Sequence, residues 1–170
     1  VGTPIFLLCD IIQREMNLSD GRVWVWDQKI FQKTDYDLYI AVANPANKVF
    51  GNNIVQQSQT VGNTTTLNQV QTVNMLGMID IDIMSRGPAA RDMKEYVVMA
   101  LNSTYSEQQQ EANSFYIGRV PTKFLNLSQG DGAAIPYRYN ISIQMQYCVQ
   151  KITPIPFYDS FDGYEVVVDN

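Results

Sequence analysis

Histidine is absent from this chain of 170 residues, and cysteine occurs only at Cys9 and Cys148. The first absence removes the commonest general base and the commonest transition-metal ligand. No Cys-x-x-Cys pair, Gly-rich phosphate loop or nucleophile elbow occurs either, so the usual signatures of redox, nucleotide and acyl-transfer chemistry are missing. The two cysteines sit inside apolar segments that read as helix and strand, which predicts buried free thiols in a reducing compartment. Apolar runs fall short of the roughly 20 residues that cross a bilayer, and the first residues lack a basic signal-peptide start. A soluble, intracellular protein with no membrane contact is the expectation. Clusters of Lys and Arg are also missing, so the chain has no footprint for holding nucleic acid by counterion release.

Apolar residues make up 45% of the sequence and charged residues 17%, which describes one globular domain with a rather neutral surface. The net charge of −5 is unevenly spread. Lys151 is the last basic residue, and Asp159, Asp162, Glu165 and Asp169 follow it; without them 13 acidic groups face 12 basic ones. The acidity belongs to the last segment.

Thr3 to Met16 reads as a first helix, with Thr3 as cap and Pro4 in the first turn. Ile5, Leu8, Cys9, Ile12 and Met16 share a face that Leu7 and Ile11 widen, so the helix is expected to be covered on more than one side. Asn17 to Gly21 ends it. Arg22 to Gln28 reads as a strand, Val23 and Val25 opposite Trp24 and Trp26. Leu38 to Ala43 reads as another, stopped by Asn44-Pro45.

The next stretch differs in kind. FGNNIVQQSQTVGNTTTLNQVQT carries no charge, and none occurs from Val49 to Asn74, yet β-formers recur along it. Gly62-Asn63 is a plausible turn between two long strands, giving a hairpin over about 48–73. An uncharged hairpin without a core of its own calls for a partner surface, and a neighbouring subunit is the expected one. Phe50, Ile54, Val55 and Val61 are the candidate contacts.

In Val73 to Met84, Ile79, Ile81 and Ile83 alternate with Asp80, Asp82 and Met84. That period puts the isoleucines in a core and both carboxylates on the opposite, solvated face. A two-carboxylate site for Mg²⁺ or Mn²⁺ is the alternative for Asp80 and Asp82. With no further acidic cluster to support it, no metal or other cofactor is expected. Ser85-Arg86-Gly87-Pro88 then opens a helix, Ser85 or Gly87 capping and Pro88 first in line. Its expected buried stripe is Ala89, Met93, Tyr96, Val97 and Ala100, with Arg91, Asp92, Lys94 and Glu95 in water.

Thr104 to Asn113 can be a short helix or a loop. Phe115 to Leu127 reads as a strand interrupted at Pro121, which points to an edge or a bulge. Ile135 to Ile152 is the longest strand signal: Tyr137, Tyr139, Ile141, Ile143, Met145, Tyr147 and Val149 form its core face. From Thr153 to Pro156 two prolines force an extended exit. Phe157, Tyr158, Phe161, Tyr164, Val166 and Val168 are too apolar for a frayed terminus and suit an arm that docks on another chain by strand addition.

The sum is an α+β fold: a mainly antiparallel sheet, two helices packed on one face, a projecting hairpin, a domain over 1–152 and an extended arm over 153–170. This order, with GRVWVWDQ, DLYIAVAN, VNMLGMIDIDIMSRGPAARDMKEYVVMALNSTYS, FYIGRV and PFYDSFD, resembles the tail-terminator and neck proteins that close the head–tail junction of long-tailed bacteriophages. The resemblance covers nearly the whole chain; the long Asn/Gln/Thr hairpin and the C-terminal arm depart from short tail terminators. It implies a structural, non-enzymatic virion protein, assembled in the host cytoplasm as a homo-oligomeric ring, usually six-fold. Its implied partners are tail-tube or portal-adaptor proteins, and DNA passes through without specific binding. Asp80 and Asp82 would then face the lumen, where carboxylates repel phosphate. Another tail-assembly or baseplate component of the same fold, and a metal-dependent hydrolase using Asp80 and Asp82, are the other readings.

Overall fold

A computed structural model describes residues 4–26, 35–61, 64–120, 123–128 and 137–156. Helix α1 (Pro4–Glu15) begins at a proline, whose fixed φ and missing N–H suit a first turn. Asn17 ends it in the left-handed region at φ 51°. There Asn17 N–H donates to the Arg14 carbonyl and Leu18 N–H to the Gln13 carbonyl, the paired bonds of a Schellman stop. Ile5, Leu8, Cys9, Ile11 and Ile12 are buried, so the widened apolar stripe is covered as expected.

Strand β1 (Val23–Val25) lies parallel to the start of β2 (Tyr39–Val61). Strand β2 pairs antiparallel with β3 (Thr64–Ser85), Val61 opposite Thr64 at the far end. The strand expected to stop at Asn44-Pro45 therefore runs on. The prolyl residue is absorbed in a bulge between Ala43 and Ala46, one residue longer than its partner segment, and a second bulge holds Phe50 between Val49 and Gly51. Pro fits there because a bulged residue needs no ladder hydrogen bond.

Helix α2 (Ala89–Leu101) follows β3 directly. Ser85 Oγ accepts from Ala90 N–H at 2.8 Å and donates to the Gly87 carbonyl at 2.5 Å, so Ser85 caps the first turn by its side chain while Pro88 holds the N-cap position. Ala90, Val97, Ala100 and Leu101 are its buried residues. Tyr96, expected in the stripe, is exposed, because the packed face is rotated by about 60° towards Ala90 and Leu101. Thr104–Asn113 is a third helix, α3, capped by Ser103 Oγ accepting from Ser106 N–H; two were expected. It packs against α1 and against β4 (Phe115–Ile117), while α1 and α2 cover the sheet.

Strand β5 (Leu125–Asn126) and β4 both pair with β6 (Tyr137–Ile155). The single strand read from Phe115 to Leu127 is thus two short ones, and Pro121 lies outside the described residues. Strand order is β1-β2-β3-β6-β4, antiparallel except for β1–β2. The α+β class holds. The core is the helix side of this sheet: Ile40 and Val42, Ile79, Ile81 and Ile83, and Tyr139, Ile141, Ile143 and Met145, under α1 and α2.

Register between β3 and β6 is unbroken from Ser85↔Tyr137 to Leu67↔Ile155. The extended exit expected at Thr153 is therefore a paired strand as far as Ile155, and a domain boundary at residue 152 would cut β6.

A candidate assembly surface

The helices and the strands differ in length by a factor of nearly four. Twelve or thirteen helical residues span about 20 Å, while the 22 residues of β3 span about 70 Å. The α layer can cover only the lower part of the sheet. Beyond Tyr147, where the pairing of β4 with β6 ends, β2, β3 and β6 continue side by side as a three-stranded ribbon of half-buried and exposed residues.

The pairings fix what each ribbon face carries. Continuing the core side are the rows Val49–Met75–Tyr147, Asn52–Val73–Val149 and Ile54–Gln71–Lys151. On the other face lie Ala46–Met78–Gln144 and Val55–Val70–Ile152. Val49, Phe50, Ile54, Val149 and Ile152 are each 54–62% exposed. At the root of the ribbon, Tyr147 Oη donates to Asn47 Oδ1 at 3.3 Å, reaching across β3 above Gly77. A Cβ on Gly77 would stand 3.0 Å from Asn47 Oδ1 and 3.5 Å from Tyr147 Cε1, so the glycine makes room for this crossing.

Of the candidate contacts, Phe50 sits on the second bulge, and Ile54 and Val55 lie on opposite faces of the regular ribbon. Val61 pairs by its backbone at the ribbon's end, and its side chain lies outside the described residues, as do Phe157, Tyr158, Phe161, Tyr164, Val166 and Val168. Val49, Met78 and Ile152 were not singled out by sequence, and Val149 was expected in the core. Alternation assigned Val149 its face correctly; the missing signal was where the helices end.

Asp80 and Asp82 do point away from the isoleucines, but that face is not a wet one. Asp82 is buried, 8% exposed. Arg138 Nη2 donates to its Oδ2 at 3.1 Å and Asn140 Nδ2 to its Oδ1 at 3.1 Å. Ser142 Oγ donates to Asp80 Oδ1. Asn140 and Ser142 are the register partners of Asp82 and Asp80, and Arg138, opposite Met84, is the diagonal neighbour of Asp82 on the same face, so the alternation that puts carboxylates on one strand puts donors beside them on the next. Tyr39, Ala41, Met84 and Trp24 form a small apolar cluster on the same face, with the Trp24 and Tyr39 rings stacked at 5.9 Å. The Arg138 guanidinium lies 5.8 Å over the Trp26 ring. A cation held between Asp80 and Asp82 would have to displace Arg138 from Asp82 first.

Beside β1, Arg22 grips both oxygens of Asp35 at 2.7 and 2.6 Å and reaches Asp37 at 3.2 Å. The hydrogen bonds to Asp35 hold its guanidinium above its ordinary pKa. This clasp ties the segment leading into β2 to the root of β1. Among the described residues no helix is long and apolar enough to cross a membrane, and no group of three or more His, Cys, Asp or Glu could hold a metal ion. Cys148 is exposed on the ribbon and Cys9 is buried, both free; the expectation of two buried thiols holds for Cys9 alone. No family model matches this chain, and no curated protein matches it.

Proposed function

We propose that this chain is a structural protein of a bacteriophage neck or tail, a tail terminator or connector that forms a six-fold ring at the head–tail junction. The reading starts from the resemblance carried by GRVWVWDQ, DLYIAVAN and the segment from Val73 to Ser106. The observation that supports it best is the ribbon. Three strands leave the core together, uncharged from Val49 to Asn74, with large apolar side chains exposed on both faces. A surface of this kind is built to be covered by protein. DNA passes through the ring without specific binding, and the neighbours are tail-tube or portal-adaptor proteins in the virion.

A lumen position for Asp80 and Asp82 belongs to the same reading in weaker form. Arg138 compensates Asp82, so at most one uncompensated carboxylate per subunit would meet passing phosphate. The hydrolase reading loses ground for the same reason.

The test is light scattering on the purified protein, alone and with tail tubes or portal complexes, followed by imaging. Closed rings, free or formed on those particles, are expected. A monomer that ignores both particles, and that binds Mg²⁺ or Mn²⁺ saturably until Asp80 and Asp82 are changed to Asn, would overturn the reading in favour of the hydrolase.

A further inference from the structure

The ribbon has two outer edges, and they are not treated alike. Backbone hydrogen bonds at its root fix which residues face outward. Trp26 N–H donates to the Val42 carbonyl and Ile40 N–H to the Arg22 carbonyl, so Ala41 and Ala43 face β3. On the far side, Gly118 N–H donates to the Gln144 carbonyl and Leu127 N–H to the Arg138 carbonyl, so the even-numbered residues of β6 face outward. Strand pairing alternates strictly, and β6 keeps one register to its end. Pro154 therefore stands outward, removing a donor from the free edge of β6 without costing a bond to β3. Lys151 adds a charge beside it. Proline and lysine are the usual guards of an exposed edge.

Beyond Lys48 the edge of β2 has neither. Carried through the two bulges, the same alternation turns Asn52, Ile54, Gln56 and Ser58 outward, opposite to Asn53, Val55 and Gln57, which face β3. Among the described residues the outward edge of β2 is paired only at Ile40 to Val42, by β1. From Asn52 to Ser58 there is no proline and no charge.

We propose that this edge of β2 pairs, antiparallel and about a two-fold axis at Val55, with the same edge of a second copy of the chain. Identical edges can meet here because neither carries charge. In this register the two Lys48 residues are about 45 Å apart along the strands. Self-pairing of β6 would instead bring Lys151 against Lys151. Asn52 and Ser58, and Ile54 and Gln56, then face one another across the axis, giving about eight backbone hydrogen bonds. On one face the row Val55–Val70–Ile152 of each copy meets its mate, and an apolar stripe crosses six strands. Among the described strands of the ribbon, pairing through β2 leaves the guarded β6 edges outside.

A ring of one polarity uses head-to-tail contacts, whereas this contact is two-fold and closes on itself. The pair is thus a form of the free protein, which opens when a subunit enters a ring. The inference stands on the edge alone and does not rest on the ring.

Sedimentation of the free, full-length protein over a range of concentrations should show a reversible dimer. Ile54→Lys, and independently Gln56→Pro, which removes an outward N–H as Pro154 does, should weaken it roughly 100-fold or more with an unchanged circular dichroism spectrum. Val55→Cys in a Cys148→Ser background should cross-link to itself on mild oxidation, since facing antiparallel residues meet disulfide geometry. A wild-type monomer at all concentrations overturns the proposal. So does a dimer indifferent to both substitutions, or a head-to-tail oligomer in which the Val55→Cys variant does not link to itself. Rings on particles with a monomeric free protein would sink this inference and spare the ring; a self-linked dimer that never joins particles would do the reverse.

Discussion

At the scale of single residues, the two thiols should behave differently. Burial, with Asp10 beside it, pushes the Cys9 thiol up to about 12, so it stays protonated and shielded at neutral pH, while Cys148 lies open on the ribbon. A thiol reagent at pH 8 should modify one cysteine quickly in the native protein and two in denaturant; two fast cysteines in the native state would mean that α1 does not pack as described. Asp82 carries a second prediction. Asp82→Asn leaves the Arg138 guanidinium without its carboxylate in a part-buried site and should cost about 1–3 kcal/mol in urea unfolding. A neutral or stabilising outcome would show that the pair contributes nothing beyond its desolvation. The sequence showed which face Asp82 takes. It could not show Arg138, 56 residues away, because the opposing residue depends on register.

At the scale of elements, local chemistry was the legible part. Pro4 and Asn17 mark the ends of α1, and Ser85 marks the start of α2, each by a backbone requirement that belongs to the residue itself. Ser85→Ala should therefore lose about 1 kcal/mol of stability, with Ser85→Thr retaining part of it; a Tm unchanged by the alanine would remove Ser85 from its capping role. What stayed hidden was how far strands continue. Asn44-Pro45 is a stop signal by composition, but a bulge satisfies the same residues when a neighbour strand holds the chain on both sides. The segment from Thr104 reads equally as helix or loop because its apolar face is thin; Ser103 and contact with α1 settle it. Tyr96 and Val149 read as buried for one shared reason: periodicity reports a face, and only the neighbouring element decides whether that face is covered.

At the scale of the whole molecule, the described chain divides into a covered base and an uncovered ribbon, joined by strands that belong to both. Removing residues 157–170 should leave the melting temperature of the free protein within a few degrees, because the described core is drawn from residues between Ile5 and Met145, and should weaken assembly on particles. Loss of folding would place that segment in the core. The shared strands also have a mechanical consequence. β3 and β6 pass from the isoleucine core to Leu67 and Ile155 without a register break, so a pull between the base and the far end loads many hydrogen bonds side by side in shear. Yielding is expected first where β2 bulges, at Ala43/Ala46 and Val49/Gly51. A force applied to the tip would reach the core with no hinge in its path along two of the three strands, and the third would be free to flex.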